Sequence, residues 1–175
     1  DLNYPKMLKK IAYLLLFSFL LIQFFRPEKN SSNDMTYDVS KKYILPDEVQ
    51  VILKNACNDC HSNNTVYPWY ANIQPMAWWL DDHIKHGKGD LNLSEFLTLP
   101  IAVQNHKFEE IVEVIDENEM PLESYTYLGL HKEANLTSEE KEILKSWAAK
   151  QMDYLKANYP ADSLVMKRRQ PPKKQ

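Results

Sequence analysis

Hydrophobic and polar positions fall into five blocks along the chain. The first is continuous: Ile11 to Phe25 reads IAYLLLFSFLLIQFF, without charge, Gly or Pro. These 15 residues would span ~22 Å as a helix, short of a ~30 Å bilayer core. Starting the helix at Met7 lengthens it, because Lys9 and Lys10 can snorkel to the interface. The pattern predicts a transmembrane signal anchor over residues 7–26. Lys6, Lys9 and Lys10 precede the run and only Arg26 follows closely, which predicts a cytoplasmic N-terminus. The following QFFRPEKN offers no small-x-small cleavage site. This reading makes the protein single-pass in the cytoplasmic (inner) membrane, with the remainder on the periplasmic side.

The other four blocks are amphipathic. After Pro46, Val49, Ile52, Leu53 and Ala56 share one helical face. Pro75 opens a stripe of Met76, Trp79, Leu80, His83 and Ile84, closed by Gly87 and Gly89. Phe108, Ile111, Val112 and Ile115 form a third face between Lys107 and Glu117. Thr137-Ser138-Glu139-Glu140 is a capping box, followed by Ile143, Leu144, Trp147 and Ala148. Leu122 to Leu136 reads as loop. No segment alternates with a period of two, so the expected fold is all-α. The expected organisation is a flexible polar tether over 27–42, a helical domain over 43–160, and a basic, disordered tail over 161–175.

Charge divides the chain in the same way. The net charge of −3 conceals an acidic middle: Pro27 to Met166 holds 12 Lys and Arg against 23 Asp and Glu, a net of −11. Such a domain is unsuited to nucleic acid and suited to a basic docking partner, or simply to staying dissolved. The chain has only two cysteines, so no disulfide framework is available.

Both cysteines lie in Cys57-Asn58-Asp59-Cys60-His61, the C-x-x-C-H signature of c-type haem attachment. Two residues between the thiols place both sulfurs against the vinyl groups of one porphyrin edge. The adjacent imidazole then reaches the iron. One rival reading is a zinc site from Cys57, Cys60, His83 and His86, but the His-x-x-His gap is short and His61 is left unused. The other is a thioredoxin-like redox pair, which requires a βαβ setting that the pattern lacks. The expected cofactor is one covalent haem c, on Cys57 and Cys60, with His61 as proximal iron ligand.

For the distal ligand, Met120 is the first candidate. It precedes Pro121 in a break between two apolar helices, and Pro stiffens a loop that must hold a weak thioether on iron. His83 is the alternative, on an inward helical stripe. Met76 reads as core packing. His86, His106 and His131 fall beside charges or in loops and are expected at the surface. Tyr125 or Tyr127 is placed to hydrogen-bond the Met120 loop or a propionate.

FFRPEKN, then CNDCHSNNTVYPWYANIQPMAWWLDDHIKHGKGDLNLSEF, then MPLESYTYLGLHKEANLTSEE resemble the haem-binding-domain family of small membrane-anchored monohaem c-type cytochromes. The likeness covers about Phe24 to Ala148. It implies a cytochrome c-like helical domain with covalent haem at Cys57 and Cys60 and His61 as proximal ligand. The family's MP-x-x-x-Y element corresponds to Met120, Pro121 and Tyr125, and its W-W-(I/L)-x-x-H-(I/V) element to Trp78 through Ile84, which strengthens His83. The tail KRRQPPKKQ departs from it.

The expected function is electron transfer rather than enzymatic turnover, because a haem with two protein ligands leaves no open position for substrate. Its partners would be membrane-associated redox proteins bearing a basic patch. The alternative is a haem enzyme or a gas or peroxide sensor with an open or displaceable sixth position.

Overall fold

The computed structural model describes residues 4–166. Seven α-helices follow one another: α1 (Tyr4–Ile22), α2 (Asp47–Ala56), α3 (Asn58–His61), α4 (Met76–Asp90), α5 (Ile101–Asp116), α6 (Glu123–Thr126) and α7 (Ser138–Asn158), joined by short 3-10 turns. Among the described residues there is no strand, only one isolated bridge between Ser31 and Asn64.

The expected anchor is corrected. Among the described residues no helix is long and apolar enough to cross a membrane. α1 has 19 residues, so any 18-residue window in it includes Lys6, Lys9 and Lys10. Its uncharged part, from Ile11 to Ile22, spans only ~18 Å. The helix stops there because the chain turns toward α4. Gln74 donates its backbone N–H to Gln23 Oε1 at 2.9 Å and its side-chain amide to the Phe25 carbonyl at 2.7 Å. The Trp78 indole N–H donates to the same carbonyl at 2.8 Å. The single-pass placement, with the domain on the periplasmic side, falls with the anchor. α1 buries none of its residues.

The segment expected as a tether touches the domain at Asn30 and at Asp38 and Val39, while Ser31 to Tyr37 between them are exposed. Asn30 donates to the Ser62 carbonyl at 2.8 Å and to Thr65 Oγ1 at 2.9 Å, and Tyr67 Oη accepts from its backbone N–H. Asp38 and Val39 are buried. At the other end, Leu164 joins the core, beyond the expected domain limit of 160. The KRRQPPKKQ stretch lies outside the described residues.

Two cores form. The larger joins α2, α5 and α7 through Ile52, Leu53, Phe108, Ile111, Leu144 and Trp147. Tyr43, Phe108 and Trp147 pack edge to face, with centroids 4.9 and 5.5 Å apart. Their polar tips are satisfied: Tyr43 donates to Gln104 at 2.6 Å and Trp147 to the Ile44 carbonyl at 2.9 Å. The smaller core is Ala71, Leu80 and Ile84. α7 begins with the expected capping box, Thr137 and Glu140 each satisfying the other's backbone N–H. α5 begins six residues before the expected Lys107, directly after Pro100, whose fixed φ suits a helix entry. Met76 is 38% exposed at the start of α4, so its reading as core packing is corrected.

Candidate functional site

α3 is one turn long and carries two of the candidate residues, Cys60 and His61. α2 ends at Ala56, and Cys57 bridges into α3, its N–H bonded to the Leu53 carbonyl. Cys57 packs on the larger core and Cys60 on the smaller, so the Cys-x-x-Cys turn sits where the two cores meet. Both thiols are unpaired. Burial pushes the Cys57 thiol up to about 12 and the Cys60 thiol up to about 11. They are therefore neutral thiols, without the thiolate character that a redox-active pair needs.

His61 is oriented across 30 residues: its Nδ1 lies 2.9 Å from the Leu91 carbonyl, just past the end of α4. A carbonyl only accepts, so the proton is on Nδ1 and the Nε2 lone pair is left to bind a metal. His83 has the same tautomer, its Nδ1 donating to the Trp79 carbonyl at 2.8 Å. The difference is that His61 is tied to a separate element, whereas His83 is tied only to its own helix.

Two adjoining cavities, of about 270 and 440 Å³, meet here and share Cys57, His61, Asp90 and Met120. The first is also lined by Cys60, Trp79, His83 and Tyr125, the second by Leu53, Ile111 and Val114. Thus Met120, 59 positions from His61 in sequence, reaches the same space. The chain is steered there by Asn118, whose positive φ of 59° ends the run of α5. Met76 lines neither cavity. The rival zinc constellation is not assembled: among the described residues no three His, Cys, Asp or Glu side chains are grouped to hold a metal ion.

Three residues that the periodicity did not single out shape the site. Gly87, expected to end α4, lies inside it, because the helix runs on to Asp90. A Cβ at Gly87 would come within 2.8 Å of the Cys60 carbonyl oxygen, so only glycine lets α4 lie this close to the Cys-x-x-Cys turn. Gly89 has nothing within 4 Å of the same added atom. We expect Gly87→Ala to destabilise the folded protein by about 1–3 kcal/mol through overpacking. Gly89→Ala should stabilise it by about 0.5–1 kcal/mol through helix propensity. Urea unfolding of the two variants decides between them, and a stabilised Gly87→Ala would refute the close-packing role.

Asp59 is the second residue. Its carboxylate accepts from the Val66 N–H at 2.9 Å and from the Tyr125 hydroxyl at 2.8 Å. His131, expected at the surface, is the third: it is 8% exposed, stacked on Tyr125 at 3.9 Å, with the Tyr70 hydroxyl 2.6 Å from its Nε2. Burial raises the pKa of Tyr70 and, further, that of Tyr125, so both keep their hydroxyl protons near neutrality.

The donor set fits a haem. Two neutral thiols, a fixed imidazole with a free Nε2 and a half-buried thioether converge on space walled by Leu53, Trp79, Ile111 and Val114. Comparison with curated proteins and with solved structures gives no significant match. The family profile described as haem-binding domain matches residues 17–150, three quarters of the sequence and the whole of this site, and the chain therefore belongs to the haem-binding-domain family.

Proposed function

We propose that this chain is a monohaem c-type electron carrier, its haem bonded to Cys57 and Cys60 through thioethers and ligated by His61 Nε2 and Met120. The observation that carries this reading is the convergence of Cys57, His61 and Met120 on both adjoining cavities. When bound, haem supplies one-electron chemistry at its iron. The chain's own residues do the rest. Leu91 holds the His61 ring, Gly87 admits the close approach of α4, and Leu53, Trp79, Ile111 and Val114 provide an apolar wall that limits water. Two protein ligands would leave no iron position for substrate, which favours transfer over turnover.

The rim is acidic. Asp82, Asp90, Glu113, Glu117 and Glu119 line the cavities and are exposed. This supports transient docking of a basic partner over the site, guided by charge. The described region up to Met166 contributes a net of −11 from Pro27 onward. Electron exchange with a small basic redox protein should slow by about tenfold or more between ~0.01 M and ~1 M salt, as the Debye length falls from ~30 Å to ~3 Å. Stopped-flow mixing of the reduced chain with an oxidised basic protein measures this. Rates indifferent to salt would sink the docking claim. Fast, tight carbon monoxide binding by the unaltered reduced protein would sink the six-coordinate carrier and support the enzyme or sensor instead.

A further inference from the structure

We propose that Tyr125 and Asp59 form a latch that positions Met120, tying the loop that bears it to the haem-attachment turn. The inference deepens the reading above and rests on Met120 being the second iron ligand.

Asp59 belongs to the Cys57-Asn58-Asp59-Cys60-His61 turn and is the only residue of that motif whose side chain bonds a hydroxyl from the Met120 side. Its two carboxylate oxygens are both used. Oδ1 accepts from the Val66 N–H at 2.9 Å, which fixes the carboxylate relative to the following loop. Oδ2 accepts from the Tyr125 hydroxyl at 2.8 Å, across 66 positions of sequence. The Asp59 backbone carbonyl also accepts from Thr65 Oγ1 at 2.6 Å, so the acceptor is held at both its main chain and its side chain.

Tyr125 lies on α6, five positions after Met120, and lines the same cavity. Its ring is held independently of its hydroxyl. It stacks on His131 with the planes 9° apart, and His131 is in turn bonded to the buried Tyr70. The tyrosine is thus clamped by its face while its hydroxyl reaches the attachment turn. Met120 itself has little else to hold it: its N–H contacts the Val114 carbonyl at 3.3 Å, and its side chain packs on the edge of the larger core. A thioether is a weak iron ligand, so a tether on its loop matters more than it would for an imidazole.

The test uses the full haem-loaded chain. Tyr125→Phe removes the hydroxyl and keeps the ring that stacks on His131. Asp59→Asn removes the charge at the other end. Tyr127→Phe is the control, a 63%-exposed tyrosine two positions on. The readouts are the far-red Met–iron(III) band and the rate at which cyanide replaces the methionine in the oxidised protein, which reports how often the loop opens. Tyr125→Phe and Asp59→Asn should raise that rate about ten- to a hundredfold, the range set by losing a hydrogen bond to a charged acceptor, and should weaken the band. Tyr127→Phe should leave both unchanged. Covalent haem and helical content should be retained in all three, which separates positioning from misfolding.

A wild-type cyanide rate in Tyr125→Phe, with the band intact in both proteins, overturns the latch alone. Equal acceleration by Tyr127→Phe also overturns it. Absence of the band from the unaltered protein overturns the Met120 assignment on which it rests.

Discussion

Changing both Cys57 and Cys60 to alanine is expected to take the protein from one haem that survives acid–acetone extraction to none. The unaltered chain should retain its haem through extraction, and its intact mass should exceed that of the polypeptide by one haem. Either single variant should keep the haem through the remaining thioether. His61→Ala should keep the covalent link and lose the low-spin spectrum, since it removes an iron ligand and not an attachment point. The physical basis is the setting of the two thiols. They are unpaired, neutral and placed on the two cores that flank the cavity, so each presents a sulfur to the same space. Haem that extracts freely from the unaltered chain would show a non-covalent site, and the c-type assignment would fail while haem binding stood.

Met120→Ala is expected to abolish the Met–iron(III) band, lower the reduction potential and let carbon monoxide bind the reduced protein stoichiometrically. A soft thioether favours iron(II) over iron(III), so its loss shifts the couple downward. His83 is the competitor, because it too lines the cavity with a free Nε2. Two features favour Met120: it lines both cavities, whereas His83 lines one, and His83 lies alongside Trp79 with ring centroids 4.3 Å apart. His83→Ala should therefore leave the band and the potential near their starting values. Met76→Leu should do the same, as Met76 is partly exposed and lines neither cavity. If His83→Ala alters the spectrum and Met120→Ala does not, the haem has two imidazole ligands and the Met120 assignment is wrong.

Much of the architecture is legible in the sequence. The apolar stripes of α2, α4, α5 and α7 follow a period that only a helix satisfies, and the Thr137–Glu140 box marks the start of α7 by local chemistry alone. Local patterns fall short where a distant contact decides the outcome. A run such as Ile11 to Phe25 shows that residues are apolar; it does not show how long the helix will be. Gln74 settles that by drawing Gln23 and Phe25 aside. In the same way Gly87 carries the usual signal of a helix end, yet here it marks a close approach of two backbones.

What the sequence by itself determined is a local set of donors: two thiols and an imidazole within one turn of chain. That information is local, since one run of five consecutive residues places Cys57, Cys60 and His61 relative to one another. Only the tertiary structure decided what meets them. Leu91, which selects the His61 tautomer, is 30 positions away, and Tyr125, which bonds Asp59, is 66 away. Such partners are brought together by the burial of separate apolar faces against one another, and a periodicity records that a face is buried without recording against what.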